Sequence, residues 1–402
     1  MVMLHSNRTS RPVADGAPLR VVIAAGGTGG HVFPGLAVAA AIERLVPGAS
    51  VTFSGTPDRL EARLVPAAGY RLDTTRMVPF PRRVDRRAFG FPARFIRCVL
   101  RARRQLRDRR ADVVVGVGGY PSVPAIVAAW TLRIPVLVHE SNATPGLANV
   151  LAARLAGKVA CAFDPERAGF ASSAEVRRVG IPILPGLASC DRKVMRERAR
   201  AVFGIAAEER FVVVSGGSLG AVSLDRAAVD LACARSWDGR LRMLVKASGS
   251  HAEELGQRLR DGGGDAVATL VPHIDDMAAA YAAADVVVVR AGASTVAEVE
   301  HLGVPAVLVP LPGATADHQT ANARALAASG ARVVVLADSE LDARALDRAV
   351  SELAGPVGAG PGLPVAPISH AHHATSPHAA AADAVADWAI ELARTSSERT
   401  AR

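Results

Sequence analysis

The chain has 402 residues, half of them apolar, and its formal net charge is +9. At about 100–200 residues per domain, this length predicts two domains, and the apolar content excludes a chain that is disordered throughout. The positive charge is compatible with nucleic acid, anionic lipid or a phosphorylated substrate as a partner.

The first half of the chain alternates between short apolar segments and helical segments. Residues 1–18 are polar, lack the apolar core of a signal peptide and are predicted to form a disordered tail. The apolar runs that follow are rich in β-branched residues, which predicts buried strands. These runs lie at 19–25, 51–55, 111–120 and 134–140. The alternation predicts a parallel sheet with helices on both faces, in a domain that spans residues 19–183.

The same pattern restarts after about residue 184. A strand, a glycine turn and the start of a helix are predicted over 211–221, and further strands at 242–249, 268–272, 284–293 and 305–312. A second doubly wound domain is therefore predicted over residues 184–354. No run of about 18 apolar residues occurs, which argues against a membrane-spanning segment.

The C-terminal part differs in composition from both domains. Residues 355–378 are rich in Pro, Gly, Ala and His, which predicts a flexible linker whose histidines either are solvated or bind a metal (His370, His372, His373 and His378). An amphipathic helix over 379–396 is expected to pack back on the first domain. The four cysteines form no CxxC pair, so we expect neither a zinc site nor a disulfide framework, and a reducing compartment fits.

Three glycine turns follow predicted strands, at 26–30, 116–119 and 216–220. Glycine permits positive φ and close approach of a ligand, and the helix behind such a loop offers free N–H groups to a phosphate. Three loops in two domains favour two phosphorylated ligands that meet at one cleft. A dinucleotide-binding dehydrogenase is disfavoured, because Ser54 and Gly55 follow the second strand where an acidic residue is needed.

Six sequence blocks occur in the order and approximate spacing of a known family. They read GGTGGHVFPGLAVA, GVGGYPSVPAIVAA, HESNATPGLANVLAARLA, SGGSLGA, DDMAAAYAAADVVVVRAGASTVAEVEHLGVPAVLVPLP and DHQTANA. Together they resemble the MurG family of peptidoglycan N-acetylglucosaminyltransferases. The resemblance implies a GT-B fold, in which two Rossmann-like doubly wound parallel-sheet domains face a cleft. It also implies UDP-N-acetylglucosamine as donor and undecaprenyl-pyrophosphoryl-N-acetylmuramyl-pentapeptide as acceptor.

The resemblance assigns the first domain to the acceptor. Two glycine loops would face its pyrophosphate, and the implied acceptor-binding residues are Gly27, Thr28, Gly29, Gly30, Gly118, Gly119, Tyr120 and Asn142. His31 and Glu140 are alternatives for the general base. A histidine suits proton abstraction near neutral pH, whereas a carboxylate needs desolvation to become basic enough. Orientation of the loop by His31 and of a turn by Asn142 are the alternative roles.

The second domain would bind the donor. The implied residues are Gly217, Ser218, Ile274, Met277, Ala293, Ser294, Thr295, Glu298, Gln319 and Asn322. The glycine loop and Thr295 would contact the diphosphate, and Ile274 with Met277 would lie beside the uracil. Glu298 would accept hydrogen bonds from the ribose hydroxyls, unless it is an ordinary surface glutamate. Gln319 would contact the sugar, and Asn322 would support that wall.

The implied chemistry is a single displacement with inversion, in which helix dipoles and loop N–H groups stabilise the leaving nucleotide. No Asp-x-Asp motif follows a strand, since Asp275 and Asp276 are adjacent. We therefore expect neither a metal nor another cofactor.

Four departures from the family pattern bear on the substrates. Ser141 and Leu219 each replace a glutamine, and His273 stands where an aromatic side chain would stack on uracil. The segment 180–184 reads GIPIL and lacks the family's asparagine and arginine near the donor diphosphate. A transferase repurposed for another lipid or specialised-metabolite acceptor therefore stays open as an alternative.

Residues 76–110 combine dense arginine with interleaved phenylalanine and isoleucine. Basic residues are attracted to anionic lipid, and apolar side chains enter the interface. We interpret the segment as a contact with the anionic inner leaflet, which predicts a peripheral protein on the cytoplasmic face of the membrane. Nucleic acid and a plain solvated helix face are the less favoured readings.

Two other classes of function remain as alternatives. A UDP-N-acetylglucosamine 2-epimerase shares the two-domain fold and the nucleotide sugar, but it needs neither the GGYPS and HESNATPGL blocks nor a lipid surface. A non-enzymatic nucleotide-sugar binder is disfavoured by the presence of both His31 and Glu140.

Overall fold

A computed structural model describes residues 18–77, 90–164, 169–170, 173–234, 240–249, 251–354 and 376–400. The predicted tail, apart from Pro18, and residues 355–375 of the predicted linker lie outside these ranges, as do residues 78–89 of the basic segment.

The first domain contains a seven-stranded parallel sheet in the order β3-β2-β1-β4-β5-β6-β7. Its strands are β1 (Arg20–Ala24), β2 (Ser50–Gly55), β3 (Arg71–Thr74), β4 (Val113–Gly116), β5 (Val136–Glu140), β6 (Lys158–Cys161) and β7 (Glu175–Arg178). The central strands are buried on both faces, and Ile23 of β1 lies between Phe53 of β2 and Val115 of β4. Burial on both faces is why these strands consist almost wholly of apolar residues.

Five helices cover this sheet. They are α1 (Gly29–Leu45), α2 (Glu61–Ala67), α3 (Phe91–Asp108), α4 (Val123–Thr131) and α5 (Leu147–Ala156). Helix α3 is rich in arginine and buries the small or apolar residues Cys98, Ala102 and Leu106, which lie at i, i+4 and i+8. This spacing places them on one face of the helix, and that face packs on the domain.

The second domain contains a six-stranded parallel sheet in the order β10-β9-β8-β11-β12-β13. Its strands are β8 (Arg210–Ser215), β9 (Leu241–Lys246), β10 (Ala268–Val271), β11 (Val286–Val289), β12 (Ala306–Leu308) and β13 (Val333–Val335). The helices are α6 (Pro185–Ala188), α7 (Arg192–Val202), α8 (Val222–Cys233), α9 (Ala252–Asp261), α10 (Met277–Ala283), α11 (Ala293–Leu302), α12 (His318–Ala328) and α13 (Ala343–Ala354). The predicted α/β class with two doubly wound parallel sheets is confirmed.

The final helix, α14 (Pro377–Thr400), packs against α1 and the first sheet. Its buried face, which includes Val385, Trp388 and Ile390, belongs to the same apolar cluster as β1 and β2. The helix is longer at both ends than the predicted range 379–396. Among the described residues, no helix combines the length and the apolar character that crossing a membrane requires.

The prediction of a solvated linker is wrong for His378, which is 3% exposed and lies in the first turn of α14. Its Nδ1 accepts a hydrogen bond from the backbone N–H of Ile181 (2.9 Å), and its Nε2 contacts Glu300 of α11 (2.9 Å). The imidazole therefore links the final helix to the segment after β7 and to α11 of the second domain. An alanine-rich sequence context gives no sign of these long-range contacts.

Candidate active site

The first glycine loop follows β1 and is anchored by a buried glutamate. Glu61 Oε2 accepts a hydrogen bond from the Gly27 backbone N–H (3.0 Å), while its Oε1 accepts bonds from the Thr56 backbone (2.9 Å) and hydroxyl (2.6 Å). Gly27 adopts a φ of 94°, which favours glycine. Sequence reasoning missed Glu61, because nothing in a helical segment 30 or more residues away identifies it as a loop anchor.

Helix α1 starts at Gly29, immediately after the extended residue Thr28. No side chain caps this N-terminus, and its first turn holds no acidic residue. The first N–H groups of such an uncapped helix are available to an anion, which the helix dipole also stabilises, although the N–H of His31 already donates to the Thr28 carbonyl (3.1 Å).

His31 lies in this first turn, packed between the two glycine loops of the first domain. Its Nδ1 is 3.2 Å from the Thr28 hydroxyl. A Cβ atom placed on Gly118 would be 2.6 Å from the imidazole Cδ2, and one placed on Gly119 would be 2.2 Å from the Gly26 carbonyl oxygen. Both positions have positive φ, so the second loop needs glycine for conformation and for space.

Burial, with a smaller contribution from the nearby His318 of α12, lowers the pKa of His31 to about 4. The backbone of Gly26 and the carboxylate of Glu61 oppose this shift. The imidazole is thus neutral at physiological pH and able to accept a proton. His318 begins α12 of the second domain, and the sequence did not indicate that it would affect His31.

Glu140, the alternative base, is buried at the end of β5, and all its hydrogen bonds go to its own loop. Oε1 accepts from the backbone N–H (2.8 Å) and the side-chain amide (3.0 Å) of Asn142. Oε2 accepts from the Gly146 N–H (3.1 Å) and the Asn149 amide (2.9 Å). Burial raises the pKa of Glu140, and the four hydrogen bonds oppose this shift only in part. Because both carboxylate oxygens are already engaged by four donors that hold this segment in place, the geometry favours His31 as the base.

Asn142 and Asn322 join the two domains. Asn322 is fully buried, and its Oδ1 accepts from the backbone N–H of Ala143 (2.9 Å). Its amide donates to the Asn142 Oδ1 (3.2 Å) and to the Ala291 carbonyl (3.3 Å). These contacts hold the Asn142 loop against α12 at the domain boundary, so the predicted contact of Asn142 with the acceptor and the predicted support of the donor side by Asn322 stay predictions.

The third glycine loop, after β8, faces the first one. The Ser218 hydroxyl lies 3.2 Å from the position that a Cβ atom on Gly29 would occupy. Gly217 has a φ of 74°, and nothing lies within 4 Å of its Cβ position. The predicted donor and acceptor loops therefore meet at one cleft, with open space around Gly217. The side chain of Leu219 lies outside the described atoms.

The remaining predicted donor residues surround the N-terminus of α11. Ala293 and Ser294 are buried, and the Ser294 hydroxyl has no hydrogen-bond partner. Thr295 follows in the same first turn, which no side chain caps. On the opposite side, Gln319 accepts a hydrogen bond from the Leu311 backbone N–H through its side-chain oxygen (2.9 Å).

Glu298 of α11 is held by Tyr281, whose hydroxyl donates to Oε2 (2.9 Å). Burial raises the pKa of Glu298 to about 7, and the hydrogen bond from Tyr281 opposes the shift. Its other oxygen makes no hydrogen bond to a described residue and so can accept one from a ligand. Ile274 and Met277 lie at the start of α10, the helix that carries Tyr281, and Ile274 is buried.

The departures from the family pattern have specific places in the structure. The Ser141 hydroxyl contacts the buried His139 (3.2 Å), whose Nε2 contacts the Gly180 carbonyl (2.9 Å). Leu184 packs against the core of the first domain, and His273 is exposed. Asp276 caps α10 by accepting from the Ala279 N–H (2.8 Å). Within the described ranges, no three His, Cys, Asp or Glu side chains group in a way that would hold a metal.

Comparison with known proteins agrees with this arrangement. Models of the glycosyltransferase family 28 N-terminal and C-terminal domains match residues 21–161 and 211–357. The crystal structure of Acinetobacter baumannii MurG is 28% identical, with a TM-score of 0.67, and the match covers 93% of this chain and 100% of that one. Two parallel-sheet domains whose glycine loops meet at one cleft define a glycosyltransferase of the GT-B fold.

A protein from Paenarthrobacter aurescens is 44% identical over 321 residues, which are 79% of this chain and 83% of the relative. A protein from Mycobacterium bovis is 43% identical over 356 residues, or 86% and 83% of the two chains. Both are named UDP-N-acetylglucosamine--N-acetylmuramyl-(pentapeptide) pyrophosphoryl-undecaprenol N-acetylglucosamine transferase. The chain belongs to glycosyltransferase family 28 and, within it, to the MurG family of transferases.

Proposed function

We propose that this enzyme transfers N-acetylglucosamine from UDP-N-acetylglucosamine to undecaprenyl-pyrophosphoryl-N-acetylmuramyl-pentapeptide, with inversion at the anomeric carbon. The product is the disaccharide lipid precursor of peptidoglycan. The relatives named for this reaction support the substrates. The observation that carries the proposal is the position of His31, a neutral base between two loops of the first domain and opposite the Ser218 loop of the second.

The reaction follows from these positions. The acceptor hydroxyl donates its proton to the His31 imidazole while its oxygen forms a bond to the anomeric carbon. The bond from that carbon to the diphosphate oxygen breaks, and the electron pair leaves with UDP. The N–H groups of the loop at Gly217 and of the first turn of α11 stabilise the departing anion. Glu298 holds the ribose through its free carboxylate oxygen.

The function is tested by transfer of radiolabelled sugar from UDP-N-acetylglucosamine to a short-chain analogue of the muramyl-pentapeptide lipid. We expect a labelled disaccharide lipid with the β configuration at the new bond. Parallel reactions offer UDP-glucose as donor and an undecaprenyl phosphate that lacks the muramyl sugar as acceptor. Transfer only in one of these parallel reactions would contradict the proposal and identify a repurposed transferase.

Binding of UDP is expected to release a proton near neutral pH. Glu298 has a pKa of about 7 in the free protein, so it is partly protonated there. Ribose hydroxyls donate to the charged carboxylate and lower its pKa, which expels the proton. Titration calorimetry at about pH 6.5, in two buffers of different ionisation enthalpy, measures the release. Glu298→Gln should abolish it and weaken UDP binding by about 10-fold. A binding enthalpy independent of the buffer would contradict this role.

The membrane contact is proposed to involve the layer formed by α3, α4 and α5. Helix α3 carries six arginines and exposes Ile96 (56%) and Leu100 (59%). Trp130 of α4 and Leu147 of α5 are also exposed, at 54% and 83%. Arg103 joins two of the helices by donating to the Thr131 carbonyl (3.1 Å). Basic and apolar groups on one layer suit a peripheral position on an anionic leaflet, which we propose is the cytoplasmic face.

The double substitution of Ile96→Glu and Leu100→Glu is expected to weaken binding to phosphatidylglycerol-containing vesicles by about 10-fold or more. It removes two apolar side chains that would insert into the interface and adds two negative charges that the anionic lipid repels. Vesicle co-sedimentation measures the effect. The matched control is Val194→Glu with Val202→Glu, since these valines are even more exposed, on α7 of the second domain (78% and 70%). An equal loss in both double variants would argue against a surface localised to α3.

A further inference from the structure

Lys246 is the last residue of β9 and lies beneath the glycine loop of the second domain. In the parallel ladder it is paired with Ser215, the residue that leads into that loop. Its ammonium donates to the Gly217 carbonyl oxygen at 2.5 Å. The side chain is therefore fixed beside the loop and is only partly exposed to solvent.

The charge on Lys246 has no paired counter-charge. It makes no salt bridge with any residue in the described parts of the chain. The acid in its neighbourhood, Asp225, is buried and is bonded to His251 (2.9 Å). Burial lowers the pKa of Lys246, Asp225 opposes this shift, and the positive charge of Arg63 in α2 adds to it. A partly buried ammonium without a paired carboxylate is costly unless an anion binds nearby.

The surroundings of Lys246 are open and polar. No described atom lies within 4 Å of the Cβ position of Gly217, and the Ser248 hydroxyl is 3.7 Å from the Cβ position of Gly220. Ser218 is exposed on the same loop, toward Gly29 of the first domain. A cation, serine hydroxyls and glycine N–H groups are the donors that a diphosphate requires.

Position 184, where the family pattern places an arginine near the diphosphate, contributes no cation here. Leu184 packs against the apolar cluster that contains Val385 and Trp388. The positive charge on the donor side of the cleft must therefore come from another element.

We propose that Lys246 binds the diphosphate of the sugar nucleotide and stabilises the negative charge on the departing nucleoside diphosphate. As the bond between the anomeric carbon and the diphosphate oxygen breaks, the electron pair stays on that oxygen. The ammonium stabilises this charge without transferring a proton. The inference rests on the proposed function only for the identity of the nucleotide. That the ligand carries a diphosphate is inferred from the loop and Lys246 themselves.

The first test compares the affinities of UDP and uridine by titration calorimetry. Lys246→Met keeps most of the side-chain volume and removes the charge, and we expect it to weaken UDP binding by about 10- to 100-fold while uridine binding changes less than about twofold. Lys246→Arg should recover most of the affinity. The matched control is Lys193→Met, which removes an exposed lysine of α7 and should leave UDP binding unchanged. Unchanged UDP affinity in Lys246→Met, or equal losses for UDP and uridine, would overturn the inference.

A second measurement uses the wild-type protein and does not depend on knowing the nucleoside of the donor. The chain contains only three lysines, at 158, 193 and 246, so reductive ¹³C-methylation gives three side-chain resonances. Adding inorganic pyrophosphate is expected to shift the Lys246 resonance and leave those of Lys158 and Lys193 in place. If pyrophosphate shifts Lys246 but UDP does not, the proposed donor is wrong and the inference stands. If neither shifts Lys246, the inference is wrong whatever the donor.

Discussion

Replacing His31 with alanine is expected to reduce the transfer rate by about 10²- to 10⁴-fold, because it removes the general base, while UDP binds with unchanged affinity. The wild-type rate at saturating donor should fall only as the pH approaches about 4, since protonation of His31 occurs there. The apparent affinity for the donor should instead fall below about pH 7, where Glu298 becomes protonated. Initial rates across this pH range, separated into kcat and KM, measure both effects.

The rival base provides the control for this prediction. Glu140→Gln replaces an oxygen that accepts two N–H donors with an amide, so we expect it to lower the free energy of unfolding by about 2–4 kcal/mol. Chemical denaturation and transfer assays on the folded fraction of both variants separate the two roles. Added imidazole should partly restore transfer in His31→Ala. Full activity in that variant, together with a folded but inactive Glu140→Gln, would assign the base to Glu140.

Gly119→Ala is expected to lower the free energy of unfolding by about 3–5 kcal/mol and the transfer rate by about 100-fold or more. Its Cβ atom would lie 2.2 Å from the Gly26 carbonyl oxygen and 3.3 Å from the His31 Nδ1. Because the obstacle is backbone, the first glycine loop must move, and the base moves with it. Urea unfolding and the transfer assay give the two quantities.

Gly48 supplies the matched control, since its φ of 86° is close to the 80° of Gly119. Nothing lies within 4 Å of a Cβ atom at Gly48, which is an exposed turn residue between α1 and β2. Gly48→Ala should therefore show only the conformational cost, about 1–2 kcal/mol, with full activity. Equal effects of the two substitutions would mean that the packing of the two loops does not matter.

The sequence by itself determined the central strands of both sheets and the three glycine loops. Val21, Val113 and Val286 belong to apolar runs because strands buried on both faces permit little else. The strands that it did not predict are β3, β7 and β13, which are edge strands, and β6, which lies between β5 and β7 but has only four residues. An edge strand is stabilised by one neighbour and by solvent, so its sequence need not be apolar.

The site residues that the sequence predicted are those that lie within one short motif. The loop glycines and His31 lie within single motifs, since positive φ and a helix start are local properties. Glu61, Lys246 and His318 have no such signal, because they reach the cleft through strand order and domain contact rather than through neighbouring residues.

Only the tertiary structure determined which partners the buried polar side chains have. It gives Glu140 four donors in its own loop and uses Asn322 to join the domains. It buries His378, which the sequence placed in the linker, at the start of the final helix and in contact with both domains. The physical reason is common to all three residues. A buried polar side chain is useful only with its partners in place, and those partners are chosen by packing between elements that are distant in the chain.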